Sequence, residues 1–302
     1  MSPTTPGPLF VLGVHRSGTT WLSSALARRS MCAPVTVRHL LEAVDGERLN
    51  EAEAWRRLEQ SGITVRPGDA RAVSPTMSEE YGYLLALQHG SSRTTPRSRP
   101  SLQQLVDQIA LESPGEVPLL RNPWDYAASH RLRGWFPTAR FVFVHRDPVD
   151  TVGSAVEMFQ DFWRAPHPYA RRTSPRYVEA WQSPWKRPVF QWFARRPALV
   201  ARLVARGTAF AHQAHLLDSR ELPAGRVAHV RYDDLLHDVV GTVDRIVEAL
   251  GLSPRQASDH PTEPAAPRQL PDRNWLTPLV PRIRRATTAY RTARLQPPAP
   301  TE

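Results

Sequence analysis

The chain has 302 residues, enough to bury a sizeable core in one large domain, and its formal net charge of +10 comes almost entirely from arginine, since Lys186 is the one lysine. A single cysteine, Cys32, excludes a disulfide framework and a cysteine-based metal site, and it favours a reduced, cytoplasmic location. The positive charge suits an anionic ligand or an anionic membrane surface, but the chain lacks the stripe of basic and aromatic residues that would indicate nucleic acid.

The N-terminal stretch and the hydropathy of the chain bear on its location. Residues 1–8 are polar and rich in proline, without the basic and apolar regions of a secretory signal, and they predict a flexible N-terminus. No window approaches the length of a membrane-spanning helix. We therefore expect a soluble protein without a transmembrane segment.

Apolar runs and helical patterns alternate over residues 9–252. Four short runs rich in β-branched residues predict buried strands, and each is followed by a polar turn and a helical pattern. This order is typical of a parallel sheet with crossover helices, so we predict one three-layer α/β domain with a P-loop-type parallel sheet flanked by helices. The predicted strands are Leu9–Val14, Val117–Leu120, Arg140–Val144 and Arg226–Val230. The predicted helices are Thr19–Arg29, Glu47–Glu59, Glu79–His89, Leu102–Glu112, Trp124–Gly134, Val149–Phe159, Leu199–Leu217 and Val239–Leu250.

The first strand and the first helix are joined by a short loop with two glycines, Gly13 and Gly18. A Gly-x4-Gly spacing between a strand and a helix predicts that backbone N–H groups at the helix start bind a phosphate, with the helix dipole favouring the negative charge. Nucleotide triphosphatases place a lysine after the second glycine, whereas this chain has Thr19 there and carries its cation inside the loop, as Arg16. The loop is therefore predicted to bind a phosphate-type anion rather than the β- and γ-phosphates of ATP or GTP. The expected binding residues are Arg16, Ser17, Gly18, Thr19, Thr20 and Trp21.

A second phosphate element follows the predicted strand at residues 140–144. Arg146 comes just after this strand, Pro148 suits the first turn of a helix, and Ser154 lies about two turns along that helix. An arginine at the strand end and a hydroxyl on the helix can hold a second phosphate together. Two phosphate sites at the carboxyl ends of two parallel strands fit a nucleotide that lies across the sheet edge.

Two segments interrupt the alternation of strands and helices. Residues 91–100 are rich in proline and serine and predict a mobile loop. Residues 165–188 contain five prolines and four arginines and predict an irregular segment. Such a segment either covers a substrate or is an ordinary surface excursion, and both interpretations stay open.

Residues 253–302 form an extension rich in proline and arginine. Trp275, Leu276, Leu279 and Val280 precede the arginine-rich stretch Arg282–Arg294. This pattern predicts a terminal helix that packs on the domain and turns a basic face to solvent. An amphipathic helix on a membrane surface is the alternative.

The two phosphate elements together resemble those of the sulfotransferases that use 3′-phosphoadenosine 5′-phosphosulfate (PAPS). The matching segments are Gly-Val-His-Arg-Ser-Gly-Thr-Thr-Trp at residues 13–21 and Phe-Val-His-Arg-Asp-Pro-Val-Asp-Thr-Val-Gly-Ser at residues 143–154. Residues 121–123, Arg-Asn-Pro, stand where many members carry Lys-x-Pro, and residues 230–235 resemble the Tyr-Glu-Asp-Leu segment before the family's last helix. The resemblance covers residues 9–252 in order, with the middle poorly matched, and it implies a P-loop sulfotransferase fold.

The resemblance also implies roles for individual residues. The first loop would hold the 5′-phosphosulfate of PAPS, while Arg146 and Ser154 would hold its 3′-phosphate. The sulfuryl group would move in line to the acceptor, with Arg16 balancing charge on the leaving group and Arg121 assisting from the neighbouring strand end. PAPS is then the sulfate donor and no metal is required, in keeping with a sequence that has no carboxylate–histidine cluster at metal-ligand spacing.

An acceptor hydroxyl also needs a base, for which we predict His39. This residue lies in the segment after the first helix, where family members often carry a catalytic histidine or glutamate, and an imidazole can remove a proton at physiological pH. Glu42 is the nearest carboxylate alternative, and Glu79 and Glu80 resemble an acidic pair near the acceptor pocket of some members. His15 is less favoured, because it precedes a phosphate-binding arginine, where a role as donor or in packing suffices.

The motifs do not specify the acceptor. Residues 47–112 and 165–188 are expected to form its pocket, and small-molecule, carbohydrate and lipid hydroxyls all stay open. Two other functions stay open as well. The chain could be a P-loop kinase or another nucleotide-binding protein, which would bind ATP with Mg²⁺, or a catalytically silent family member that binds PAPS.

Overall fold

A five-stranded sheet in which all strands run parallel forms the centre of the structure. The structure is a computed structural model, and it describes residues 7–66, 72–220, 222–223, 225–255 and 273–295. The strands are β1 (Leu9–Gly13), β2 (Cys32–Pro34), β3 (Val117–Arg121), β4 (Arg140–His145) and β5 (Val227–Arg231). They lie in the order β2-β3-β1-β4-β5, so β1 occupies the middle of the sheet.

Helices cover both faces of this sheet. Those of the described residues are α1 (Thr19–Arg29), α2 (Val37–Asp45), α3 (Glu51–Gln60), α4 (Tyr81–His89), α5 (Arg99–Glu112), α6 (Ser129–Trp135), α7 (Pro148–Arg164), α8 (Pro168–Thr173), α9 (Pro175–Gln182), α10 (Lys186–Ala194), α11 (Pro197–Ser219), α12 (Tyr232–His237), α13 (Val239–Ala249), α14 (Val280–Ala286) and α15 (Thr288–Leu295).

The side chains of β1 alternate between two apolar cores, as the period of a strand requires. Phe10 and Leu12 pack in the core that contains residues of α2, α4 and α5, whereas Leu9 and Val11 pack in the core that contains residues of α1 and α13. All residues of β1 are buried. A parallel strand that is covered on both faces is a continuous apolar run, and this is why its sequence predicts it so clearly.

Most predicted elements are confirmed, and the differences are local. The structure has all four predicted strands and adds β2, whose three residues are too few to give a periodic signal. Helix α1 has the predicted bounds. The predicted helix Trp124–Gly134 is a 3-10 turn, Pro123–Asp125, followed by α6, and α2 is not among the predicted helices.

Residues 165–188 contain regular helices, which corrects the expectation of an irregular segment. Pro168 and Pro175 occupy the first positions of α8 and α9, where the missing N–H of proline costs no helical hydrogen bond. The Ser174 hydroxyl accepts a hydrogen bond from the backbone N–H of Tyr177 and caps α9. These two prolines therefore begin helices instead of breaking them.

Residues 91–100, predicted as a mobile loop, have defined contacts. They include a 3-10 turn at Pro96–Ser98 and the beginning of α5. Thr94 is buried, and its backbone N–H and its hydroxyl donate to Asp125 Oδ1 at 2.9 and 3.1 Å. Asp125 follows β3, so the segment is fastened to the turn beyond that strand.

The two ends of the chain are described only in part. Residues 1–6, which include most of the predicted flexible N-terminus, lie outside the described residues, and Gly7 and Pro8 are buried. Residues 256–272 and 296–302 of the C-terminal extension also lie outside them.

The described part of the C-terminal extension packs on the domain. Leu279 and Ile283 are buried in a cluster with Val152 and Val156 of α7. The apolar side chains that a membrane-surface helix would need are therefore used within the fold. Among the described helices, none combines the length and the apolar character that a membrane span requires.

Candidate functional site

A large cavity lies at the carboxyl edge of the sheet. Its volume is about 1380 Å³, whereas a site for one small ligand typically measures roughly 300–1,000 Å³. Residues that come soon after three of the strands line it: His15 after β1, Arg146 after β4 and Tyr232 after β5. The carboxyl ends of parallel strands meet at one edge, so segments that are far apart in the chain converge here.

The loop between β1 and α1 takes a left-handed turn at two positions. Arg16 has φ of 70° and Gly18 has φ of 98°. Two features favour glycine at position 18. The left-handed backbone strains other residues, and an added Cβ would lie 2.4 Å from the Tyr232 ring. Gly18 is the N-cap of α1 and no side chain caps this helix. The first N–H groups of α1 are thus available to an anion.

The two predicted phosphate elements are in direct contact. Arg16 Nε donates to Ser154 Oγ at 2.9 Å, and Arg146 Nη1 donates to the backbone oxygen of Arg16 at 2.6 Å. The Arg146 guanidinium also lies over the Tyr232 ring, 4.2 Å from its centroid. Arg16 and Arg146 line the cavity, while Ser154 is buried behind Arg16 and orients it.

The remaining residues of the first loop divide between the wall and the interior. Gly18, Thr19, Thr20 and Trp21 line the cavity. Ser17 is buried, and its hydroxyl has no hydrogen-bond partner among the described residues. The same holds for Arg146 Nε. An unpaired buried donor is costly unless a ligand satisfies it, and Arg146 lines the cavity, so its guanidinium suits a bound anion.

Positive charge dominates one part of the cavity wall. The arginines that line it are Arg16, Arg28, Arg66, Arg93 and Arg146. Within the described part of the chain, Glu80 is the one carboxylate that lines it. Guanidinium groups in a recessed site attract an anion with several charges and bind its oxygens in pairs.

The structure places Arg121 behind the cavity and not in its wall. Its side chain is fully buried, with Nη1 donating to Glu80 Oε1 at 2.9 Å and Nη2 donating to Glu79 Oε1 at 3.1 Å. Its charge is therefore held by two carboxylates. Arg121 thus contacts Glu80 and does not line the cavity, and the assisting role that the family resemblance implies for it stays a prediction.

Glu80 is ionised in this setting. Burial alone would raise its pKa, but the charges of Arg121 and Arg66 outweigh burial and hold the pKa of Glu80 below its usual range. Both arginines donate to the same oxygen, Oε1, each at 2.9 Å. Oε2 has no hydrogen-bond partner within the residues that the structure describes. A carboxylate with one open oxygen in a cavity wall can accept a proton from a ligand.

Neither His39 nor Glu42 lines the cavity. His39 Nδ1 accepts a hydrogen bond from the Thr36 N–H at 3.0 Å, and its Nε2 lies 3.2 Å from Glu112 Oε2. These contacts cap the N-terminus of α2 and use both ring nitrogens. Glu42 is buried and accepts a hydrogen bond from the Leu49 N–H at 3.2 Å. The structure therefore places His39 in a helix cap and outside the cavity wall, a position that does not favour it as the base, and its role as base stays a prediction.

His15 is the histidine that lies in the cavity wall. Its ring meets the Trp124 ring edge-on, with centroids 3.9 Å apart. Burial lowers the pKa of His15 to about 4, so the imidazole is neutral near pH 7. Its Nε2 is buried without a partner among the described residues. His15, which the sequence disfavours as a base, therefore lines the cavity, whereas His39 does not.

Tyr232, Arg66 and Arg93 line the cavity, although no sequence motif marks them as functional candidates. Tyr232 could have been found, because it comes two residues after the predicted strand Arg226–Val230 and so lies at the carboxyl edge of the sheet. Arg66 and Arg93 belong to the poorly matched middle of the chain and carry no local signal. Arg66 reaches the site by pairing with Glu80 and donating to Thr20 Oγ1 at 3.3 Å, contacts that only the folded chain creates.

The chain is similar to known sulfotransferases in sequence and in fold. The model of the sulfotransferase family matches residues 8–256. The structure of the sulfotransferase STF1 from Mycobacterium tuberculosis H37Rv is similar with a TM-score of 0.56 at 17% identity, covering 95% of this chain and 77% of that one. The sulfotransferase STF9 from Mycobacterium avium gives a TM-score of 0.58 at 16% identity, covering 96% and 77%. At these identities the likeness shows a shared fold. No curated protein matches the chain.

The capping role of His39 can be tested by its stability effect. We expect His39→Ala to lower the free energy of unfolding by about 1–2 kcal/mol, the size of a lost helix cap. Urea denaturation followed by circular dichroism measures the change. His130→Ala, at an exposed helical position, is the control and should stay within about 0.5 kcal/mol of the unmodified protein. Equal stability of the two variants would contradict the capping role.

Proposed function

Because the chain belongs to the sulfotransferase family, we propose that it transfers the sulfuryl group of PAPS to a hydroxyl group of a small acceptor. The observation that carries this proposal is the contact between the two phosphate elements. Arg16 bonds to Ser154, and Arg146 bonds to the backbone of Arg16, so the two elements form one binding surface. A surface of this kind suits a single ligand with anionic groups at two positions.

The residues at this surface fit PAPS. The uncapped N-terminus of α1 and Arg16, which line the cavity, would hold the 5′-phosphosulfate, with Ser17 buried beneath the loop. Arg146, whose Nε is unpartnered among the described residues, would hold the 3′-phosphate with Ser154 close by. When bound, PAPS supplies the sulfuryl group together with a phosphate as its leaving group.

The residues of this chain would perform three tasks in the transfer. Glu80 takes the proton of the acceptor hydroxyl as the acceptor oxygen forms its bond to sulfur. Arg16 stabilises the charge that collects on the 5′-phosphate oxygen as the bond from that oxygen to sulfur breaks. The loop and α1 hold the reacting groups in line, and such positioning carries much of the catalysis in reactions of this type.

Glu80 is the base that the contacts support best. It lines the cavity, its lowered pKa keeps it ionised, and its Oε2 is open. Arg66 and Arg121 hold it through Oε1 and leave the other oxygen to the acceptor. Glu79, by contrast, is fully buried and bonds to Tyr169 and Arg121.

Nucleotide binding tests the donor site. We expect adenosine 3′,5′-bisphosphate (PAP) to bind, and Arg146→Ala to weaken that binding about 10- to 100-fold, since a hydrogen bond from a charged group contributes roughly 1.5–3 kcal/mol. Arg146→Ala should lower the affinity for adenosine 5′-monophosphate (AMP) much less, because AMP lacks the 3′-phosphate. Isothermal titration calorimetry measures both.

The control for this experiment is Arg29→Ala, which removes a surface arginine paired with Asp244 and should leave PAP affinity unchanged. Failure of the unmodified protein to bind PAP would overturn the proposed function. Binding of PAP without transfer of labelled sulfate to any acceptor would instead identify a silent family member.

The base is tested with a matched pair of buried glutamates. Glu80→Gln should lower kcat by about 10²- to 10⁴-fold, the usual contribution of a general base, while PAP affinity stays the same. Glu79→Gln disturbs the same buried arginines but does not touch the cavity, so its kcat should fall far less. Transfer of labelled sulfate from PAPS gives kcat. Equal losses in the two variants would show that Glu80 acts only through the ion-pair network.

A further inference from the structure

We propose that the acceptor is an alcohol with one hydroxyl group on an otherwise apolar alkyl or aryl skeleton, and not a carbohydrate. This inference rests on the proposed function, because it assigns the part of the cavity that PAPS would not fill. The cavity is larger than a typical site for one ligand, so it has room for a donor and an acceptor together.

The wall contributed by residues 155–211 is uncharged and consists mainly of apolar and aromatic side chains. Its members, all without a charged side chain, are Ala155, Met158, Phe159, Phe162, Trp163, Tyr169, Ala170, Thr173, Ser174, Tyr177, Val204, Gly207, Thr208, Phe210 and Ala211. The charged lining residues instead come from the loops and helices at the carboxyl edge of the sheet and from the middle of the chain. The cavity thus has a charged part for the donor and an apolar part for the acceptor.

Trp163 is the fixed centre of this apolar wall. Its ring stacks on Phe190 with centroids 4.4 Å apart and on Trp181 with centroids 5.4 Å apart. Phe159 and Tyr177 pack against it at 6.4 and 5.7 Å. A wall of packed rings binds an apolar skeleton well, since each buried CH₂ group contributes roughly 0.8 kcal/mol.

Several hydroxyls of this wall are already used inside the protein. The Tyr177 hydroxyl donates to the Phe162 carbonyl at 2.9 Å and accepts from the His167 N–H at 3.0 Å. The Thr173 hydroxyl donates to the Tyr169 carbonyl at 2.9 Å. A sugar would bring several hydroxyls to groups that are committed elsewhere, and each hydroxyl buried without a partner costs about 1–3 kcal/mol.

The chain offers a matched pair of glycines for testing this inference. Gly207 on α11 lines the cavity, whereas Gly134 on α6 does not. A Cβ added at either position meets no atom within 4 Å. Gly207→Trp should therefore place a large side chain in the acceptor part of the cavity, and Gly134→Trp makes the same change on another helix.

The experiment measures binding of acceptors to the PAP-loaded protein by calorimetry, so it does not depend on turnover. Decan-1-ol and 2-naphthol represent the alkyl and aryl classes, and methyl glucoside represents carbohydrate. We expect the apolar class that fits to bind at least about a hundredfold more tightly than methyl glucoside, which corresponds to ~2.7 kcal/mol. Gly207→Trp should weaken this binding at least about tenfold and leave PAP affinity unchanged, whereas Gly134→Trp should change neither.

Three outcomes would overturn the inference. They are binding of methyl glucoside as tight as that of both alcohols, no binding of either alcohol, and an unchanged alcohol affinity in Gly207→Trp. All three are read with PAP bound, so they leave the donor site established. Failure of PAP itself to bind would overturn the proposed function and this inference with it.

A separate observation concerns residues 273–295, here named the C-terminal strap, which lie beyond the part of the chain that the family model matches. We infer that the strap positions the second phosphate element. His145 and Asp147 flank Arg146, and both contact the strap. Tyr290 Oη lies 3.2 Å from His145 Nδ1, and Arg291 Nε lies 3.6 Å from Asp147 Oδ2.

The strap also meets α7 beside Ser154. Arg273 pairs with Glu157 at 2.7 and 3.0 Å, and its guanidinium crosses α7 at Gly153, where an added Cβ would lie 2.7 Å from Arg273 Nη1. The strap therefore contacts residues next to both Arg146 and Ser154, the two residues expected to bind the 3′-phosphate. Small shifts of such groups are enough to weaken a binding site.

The test separates positioning from simple stabilisation. If the strap positions Arg146 and Ser154, Arg273→Ala should lower the preference for PAP over AMP about three- to tenfold, because only PAP carries a 3′-phosphate. Gly153→Ala should act in the same direction although alanine favours the helix. Gly134→Ala, at an open helical position, is the control.

The ratio of AMP to PAP dissociation constants, measured with the melting temperature, decides between the two roles. A lower melting temperature with an unchanged ratio in both Arg273→Ala and Gly153→Ala would overturn the inference. If the unmodified protein does not bind PAP at all, the proposed function is overturned, and the inference about the strap with it.

Discussion

The left-handed turn at Arg16 is the constraint on which the site depends. A non-glycine residue in this conformation costs roughly 1–2 kcal/mol, and here φ is 70°. The turn lets the backbone oxygen of Arg16 accept from Arg146 while its side chain reaches Ser154. One residue thereby joins the loop after β1 to the element after β4. Strain of this kind concentrates at functional sites, where the surrounding contacts hold it.

Charge divides the cavity and connects its structure to its chemistry. Five arginines line it beside the one carboxylate, Glu80, among the described residues. Behind the wall, Arg121 lies between Glu79 and Glu80, so each buried charge has a partner. The excess of positive charge remains toward the cavity, where an anionic donor can balance it. The part built from residues 155–211 has no such excess, so a ligand there is bound mainly by the hydrophobic effect.

The helices beyond β4 show where pattern recognition is weakest. Pro168 and Pro175 suggest a break in structure, yet both begin helices, because the first helical position needs no N–H. Proline has the same local signature in a loop and at a helix start. A helix forms after the proline when the residues of its first turns can pack against apolar side chains, such as those around Trp163. These side chains belong to other helices, so the local sequence does not reveal them.

The elements that can be predicted from residue type and spacing are those whose decisive contacts are local. The strand, the glycine loop and α1 lie within some twenty residues, and so do β4, Arg146 and Ser154, so their residue types and spacing are enough to predict them. Which titratable groups reach the cavity depends instead on contacts between residues far apart in the chain. His39 caps a helix, whereas Glu80 lies in the cavity wall, held there by Arg66 and by Arg121, which is 41 residues away in the chain. Such pairings depend on how crossover helices pack against the sheet, and no local pattern records that packing.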